Sequence, residues 1–209
     1  MQESVKKKSI LILNSFLTEE SLFNLQREGQ SLHNKAFYCL QNHNVLLAEK
    51  NIQLDDKHPC NIEVVSDKGC VPHDLIPENS SLRIVYNSTL FKNFIQSLLS
   101  VEKVYPYADT LSSINYNYYE KNQQLGWHFD NASFAISLMI QSPVSGGSFQ
   151  YVVNARNVDK NFLNIQLIDS VLKNKYSVKE LRIEEGALVL FYGSNYLHRV
   201  TPVNSNKHR

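Results

Sequence analysis

The sequence predicts a mostly β domain of the α+β class, with strands closed into a sandwich or barrel and helices flanking it. Three observations carry this. From Ser112 onward, short runs rich in aromatic and β-branched residues recur between turn signals at roughly ten-residue intervals. Ahead of them, Leu90, Phe91, Phe94, Ile95, Leu98 and Leu99 form one continuous helical face, which must be buried. At ~150 residues per domain, a length of 209 residues favours a single core with an elaborated end.

Taken in order, Ser9 to Asn14 is a short apolar strand. Thr18 followed by Glu19 and Glu20 is an N-cap with acidic residues at the positive end of a helix dipole, and that helix runs to about Gln30. Lys57 to Ser81, with His58, Pro59, Gly69, Pro72 and Pro77, reads mostly as loop, with extended pieces at Ile62 to Val65 and, just beyond, Leu82 to Tyr86. The amphipathic helix follows from Ser88. The later strands are Ile114 to Tyr119, Leu125 to Asp130, Phe134 to Gln141, Ser148 to Val153, Leu181 to Ile183, Ala187 to Tyr192 and Leu197 to Val203. Turns fall at Asn122-Gln123-Gln124, Pro143 to Gly147 and Glu185-Gly186, and a helix from Phe162 to about Asn174 packs outside the sheets.

Composition narrows the function classes. Twenty-one Lys and Arg against twenty Asp and Glu leave a net charge of +1, which removes the broad cationic field of a nucleic-acid or anionic-membrane binder. Lys6, Lys7 and Lys8 precede an apolar run, Ile10 to Leu13, too short for a signal peptide, and nothing approaches the roughly 20 apolar residues of a membrane span. Three cysteines, Cys39, Cys60 and Cys70, are an odd number at no framework spacing, so reduced thiols and a cytoplasmic location are expected.

The chemistry centres on His128-Phe129-Asp130. At a strand end, residues two apart project to the same face, so an imidazole and a carboxylate converge while Phe129 points away. His198 follows the Gly193-Ser194-Asn195 turn at the start of another strand. Two imidazoles and a carboxylate with open positions form the facial triad of non-haem Fe(II) oxygenases, although His-x-Asp alone is a weak signal and a lone His is more often a core residue. His58, Cys60, Cys70 and His73 offer zinc-type ligands, but at a spacing that fits no zinc module, so loop and core roles are the better reading.

The surrounding text sharpens the triad: Leu125 to Asp130, Phe134 to Gln141, Gly146-Gly147-Ser148-Phe149-Gln150-Tyr151, Gly186 to Phe191, and His198-Arg199-Val200-Thr201-Pro202-Val203. In this order and spacing the chain resembles the Fe(II)- and 2-oxoglutarate-dependent oxygenases. Within them it is most similar to the bacterial branch that hydroxylates or chlorinates free amino acids such as lysine. That branch also has a stretch like Tyr105-Pro106-Tyr107-Ala108-Asp109 and an arginine eleven residues after the distal His, here Arg209. The likeness covers about residues 105–209, with weaker likeness before.

The resemblance implies a double-stranded β-helix of the jelly-roll or cupin type, with residues 1–104 packing on a catalytic core of residues 105–209. That core carries a helical insertion at 161–174 and lacks the usual final strand. It implies Fe(II) held by His128, Asp130 and His198, with 2-oxoglutarate and O2 as cosubstrates and succinate and CO2 as products. Arg209 would pair with the distal carboxylate of 2-oxoglutarate, with Lys207 and His208 as fallbacks and Thr201, Tyr119 and Asn115 as further contacts. Halogenating members have a small residue where Asp130 stands, so hydroxylation is expected and chlorination is not.

For a cationic amino-acid substrate, Asp109 and Glu120 are the nearest acidic partners, though surface carboxylates at such positions are commoner. Asn131 replaces an acidic residue of lysine-specific members, and Trp127 and Phe134 are candidates to line the pocket, although strand aromatics are usually core. The family continues past its arginine into a last strand and a closing segment, so a fragment or an incomplete site, with Arg209 fraying, is the expectation. The alternatives are a prolyl or other protein hydroxylase of the same superfamily and a non-catalytic β-helix that binds a ligand. A nucleic-acid demethylase is disfavoured by the neutral charge.

Overall fold

The computed structural model describes residues 10–109 and 111–209. The basic patch Lys6 to Lys8 and the Ser9 start of the first strand lie outside the described residues. The elements are β1 (Ile10–Leu13), α1 (Glu19–Leu32), β2 (Phe37–His43), β3 (Val64–Val71), α2 (Ser81–Asn87), α3 (Thr89–Leu99), β4 (Tyr116–Tyr118), β5 (Leu125–His128), β6 (Ala135–Leu138), β7 (Phe149–Val152), β8 (Arg156–Asn157), β9 (Phe162–Leu163), α4 (Ile165–Leu172), β10 (Lys179–Leu181), β11 (Leu188–Phe191) and β12 (Leu197–Val200). Among the described residues no helix is long and apolar enough to cross a membrane.

Two antiparallel sheets face one another as a double-stranded β-helix: β10-β7-β12-β5 and β1-β11-β6. Side-chain alternation sets what each face does. From β11, Val189 and Phe191 turn inward with Phe149 and Val200 of the facing sheet, while Leu188 and Leu190 turn outward onto Ile95 and Leu99 of α3. Buried on both faces, β11 has to read as a continuous apolar run. The outer face of the four-stranded sheet carries Trp127, Phe129, Val152 and Leu197, which pack against Ile168 and Val171 of α4. Burying each such aliphatic or aromatic side chain contributes about 1.5–3 kcal/mol.

The expected Thr18 cap is present, and Ser88, the expected start of the amphipathic helix, caps it as well. Thr18 accepts from the Ser21 N–H at 3.2 Å, and Ser88 accepts from Phe91 N–H at 3.1 Å. A third sheet, β2-β3-β4, joins the side of the core where Asp67 and Gln124 exchange backbone hydrogen bonds of 2.8 and 3.0 Å, and β8-β9 is a separate two-stranded hairpin. Glu28 of α1 accepts from Ser80 and from Tyr116 of β4, each at 2.6 Å, which ties the first helix to this sheet.

Three expectations need correction. Leu82 to Tyr86 is helical, within α2, because Ser80 caps it by accepting from Leu82 N–H at 3.1 Å. The stretch from Lys57 to Ser81 is less loop-like than its prolines indicate, since Val64–Val71 is one eight-residue strand. Its partner Phe37–His43 is a further strand that the sequence reading leaves out, paired from Phe37 with Cys70 to His43 with Val64. Such pairing is set by distant partners and not by local pattern. The helix expected from Phe162 begins at Ile165, because Phe162 and Leu163 first pair with β8.

Candidate metal centre

Strands β5 and β12 are neighbours, and their register sets His198 opposite His128. Both histidines are buried, and Asp130 follows the end of β5 on the same side as His128. Asp130 Oδ1 lies 3.4 Å from His128 Nε2 and 3.5 Å from His198 Nε2. Among the described residues, these three are the one group of His, Cys, Asp or Glu with three or more ligand atoms converging, all within 4.8 Å of one another.

The backbone fixes how the imidazoles face. His128 Nδ1 is 2.8 Å from the carbonyl of Gly126, and His198 Nδ1 is 2.9 Å from that of Tyr196. A carbonyl only accepts, so each Nδ1 carries its proton and donates it, leaving the Nε2 lone pair toward Asp130. Burial disfavours the protonated form of His128 and lowers its pKa. Asp130 Oδ2 is buried with no hydrogen-bond partner among the described residues.

Two neighbours of the triad are invisible to sequence reasoning. Gly193, noted only as part of a turn, accepts from Asp130 N–H at 3.0 Å, and a Cβ added to it would meet Asp130 Oδ2 at 1.7 Å. Ser66 accepts from the Gly126 N–H at 3.0 Å and contacts His43 Nε2 at 2.5 Å, so β2 and β3 brace Gly126, the residue whose carbonyl orients His128. Phe149 and Phe191 flank the His198 ring, with centroids 5.6 and 4.9 Å away.

Arg209 is anchored and not frayed. Its N–H and C=O both pair with Tyr119, at 3.0 and 2.9 Å, and Nη1 donates to the Gly147 carbonyl at 2.6 Å. The guanidinium carbon is 6.0 Å from the Tyr119 ring centroid, and burial lowers the pKa of the group. Among the described residues no carboxylate lies within ion-pairing distance of it. Lys207 is paired with Glu185 at 3.1 Å, and His208 is stacked on His33 with centroids 4.7 Å apart. Thr201 Oγ1 accepts from Ser148 N–H at 2.9 Å, which leaves its hydroxyl proton to donate.

The other sequence candidates are dispersed. Asn115 accepts from Asn117 at 2.5 Å before β4, and Asp109 caps its own exposed loop through Leu111 N–H and Ser112 Oγ. Glu120 is exposed and accepts from Tyr38 at 2.7 Å. Trp127 turns to the outer cluster with Arg199 over its ring at 4.7 Å, and Phe134 packs in the cluster around α3. Asn131 is exposed beside the triad. Cys60 takes part in a short turn, its N–H donating to His58 Nδ1 at 3.2 Å, while His73 contacts Ser113, so neither half of the zinc idea forms a ligand cluster among the described residues.

The family model described as Halogenase D matches residues 1–209. No curated protein matches the sequence. Solved structures with a similar fold include a 2OG-Fe(II) oxygenase family oxidoreductase from Burkholderia pseudomallei, at 10% identity and TM-score 0.63, covering 100% of this chain and 84% of that one. A Pseudomonas putida prolyl-4-hydroxylase matches at 12% identity and TM-score 0.56, covering 99% and 91%. A Trichoplax adhaerens prolyl hydroxylase in complex with a hypoxia inducible factor peptide matches at 13% identity and TM-score 0.54, covering 99% and 83%.

Proposed function

The chain belongs to the halogenase D family, and on that premise we propose that it is an Fe(II)- and 2-oxoglutarate-dependent dioxygenase hydroxylating an unactivated C–H bond of a free amino acid or related small molecule. Its neutral charge and free thiols support a small-molecule substrate in the cytoplasm over nucleic acid or a membrane.

One observation carries the reading: two Nε2 lone pairs lie 3.4 and 3.5 Å from one carboxylate oxygen, all three atoms within 4.8 Å of one another, with no proton donor between them. Three acceptors facing one another repel unless a cation lies among them, and two imidazoles with one carboxylate suit non-haem iron. The partnerless Asp130 Oδ2 fits the same group. When bound there, Fe(II) would supply the O2 chemistry that couples conversion of 2-oxoglutarate to succinate and CO2 with C–H hydroxylation.

The chain's own residues orient and exclude. The Gly126 and Tyr196 carbonyls hold both imidazoles in the ligating tautomer. Phe149 and Phe191 keep water from one side of His198. Arg209, half-buried and without a carboxylate partner, would take the distal carboxylate of 2-oxoglutarate in a charge-assisted fork, with Tyr119 beneath it and the Thr201 hydroxyl as a further donor.

The family description raises halogenation, and Asp130 argues against it here. Its carboxylate fills the position that chloride takes in the halogenating branch the sequence resembles. The test is succinate formation by anaerobically iron-loaded protein exposed to O2 in chloride buffer, across free amino acids and short peptides. Stimulation by one amino acid, with a product heavier by one oxygen and no chlorinated product, is the expected result. Stimulation by peptides alone would move the assignment to a protein hydroxylase, and absent 2-oxoglutarate binding would leave a non-catalytic module.

A further inference from the structure

A cavity of about 310 Å³ opens where the β8–β9 hairpin meets the loop leading into β12, lined by Asn154, Arg156, Asn157, Lys160, Asn195 and Tyr196. Two contacts connect it to the metal centre. The Arg156 guanidinium lies 5.5 Å over the ring of Phe129, the residue between His128 and Asp130 that turns to the outer face. Tyr196 supplies the carbonyl that orients His198.

Four of the polar groups in this cavity are donors. The Asn195 side-chain oxygen accepts from Val158 N–H at 2.9 Å, and that of Asn157 accepts from Lys160 N–H at 3.0 Å. Both amide oxygens are therefore committed to backbone, and both NH2 groups are left to donate. Arg156 and Lys160 add two cations, and among the described residues neither has an ion-pair partner within 4.0 Å, Asp159 of the same turn included. Two cations and two amide donors around one volume, with no carboxylate among the residues that line it, recognise an oxyanion.

We propose that this cavity is an oxyanion-binding site, distinct from the Arg209 site, that takes a carboxylate or phosphate. The oxyanion has two possible sources: the carboxylate of the molecule oxidised at the metal centre, which rests on the function proposed above, or a separate anionic effector. Either occupant would bear on the loop that holds Tyr196 and Gly193, and through them on His198 and Asp130.

The experiment uses the 15N-labelled full-length protein carrying Zn(II) and saturating 2-oxoglutarate, so that the Arg209 site is filled, with sulfate as the probe. Saturable shifts of the Asn157 and Asn195 side-chain amides and of the Arg156 Nε–H are expected. R156Q, which removes a charged donor, should weaken sulfate binding about tenfold, and K160Q should weaken it less. No saturable shift, or equal binding by wild type and the R156Q/K160Q double variant with wild-type far-UV circular dichroism, would overturn the site. A second arm separates the sources. If an amino acid that stimulates turnover moves the same signals and its carboxamide does not, the anion is the substrate's own. If sulfate moves them and alters turnover while acid and carboxamide bind alike, it is an effector. Failure of every amino acid to turn over would count against the proposed function and leave the sulfate result standing.

Discussion

Gly193 and Asp130 are locked together: the Gly193 carbonyl accepts from the Asp130 N–H at 3.0 Å, and a methyl group on Gly193 would sit 1.7 Å from Asp130 Oδ2. Position 193 therefore has to be glycine for steric reasons, and the carboxylate rotamer depends on it. We expect Gly193→Ala to keep the fold and to weaken Fe(II) or Co(II) binding about 10–100-fold, the usual cost of disturbing a group that orients a ligand. Metal titration of the variant checks this, and unchanged affinity would detach Gly193 from the centre.

His128→Ala and His198→Ala each remove one of the converging nitrogens. Both should abolish iron-dependent succinate formation while far-UV circular dichroism stays that of the wild type. Full activity in either variant would end the assignment of the triad.

Arg209→Lys keeps a positive charge but loses the planar fork. With charge-assisted hydrogen bonds worth roughly 1.5–3 kcal/mol, the expected result is a KM for 2-oxoglutarate raised at least tenfold, with substrate affinity little changed. Quenching of the single tryptophan, Trp127, offers an independent binding readout. A KM equal to that of the wild type would place the cosubstrate carboxylate elsewhere.

Glu185 makes stability depend on acid. Burial disfavours its charge, but the Ser142 N–H at 2.8 Å, Lys207 at 3.1 Å and Gln26 at 3.3 Å outweigh that and hold its pKa below the ordinary 4.5. Because the folded value lies below the unfolded one, the contribution is fully present above about pH 4.5 and fades as the pH falls through the folded pKa. Melting temperatures of wild type and Glu185→Gln should differ at pH 7 and converge in acid. A constant difference down to pH 3 would contradict this linkage.

Much of the core was legible because its signals are local. The runs Leu188 to Phe191 and Phe149 to Val152 announce buried strands, Thr18 and Ser88 announce helix starts, and His128-Phe129-Asp130 announces a convergent pair. Strand β2 was illegible because Phe37, Leu40 and their neighbours are largely exposed, so no alternation of burial marks them. Its register against β3 is fixed by partners well beyond its own neighbourhood in the chain, from Phe37 with Cys70 to His43 with Val64.

By itself the sequence determined the class of fold, the family and the residue types that could hold a metal, since composition, periodicity and ordered motifs are properties of the chain. Tertiary structure alone decided which residues meet. It set His198 opposite His128 through the β5–β12 register, required glycine at 193, and tied Arg209 to Tyr119 by two backbone hydrogen bonds. It also turned Trp127 away from the ligands and gathered Arg156, Lys160 and two committed asparagines around one cavity. These are relations between residues far apart in the chain, created by strand pairing and close packing, and no local pattern encodes them.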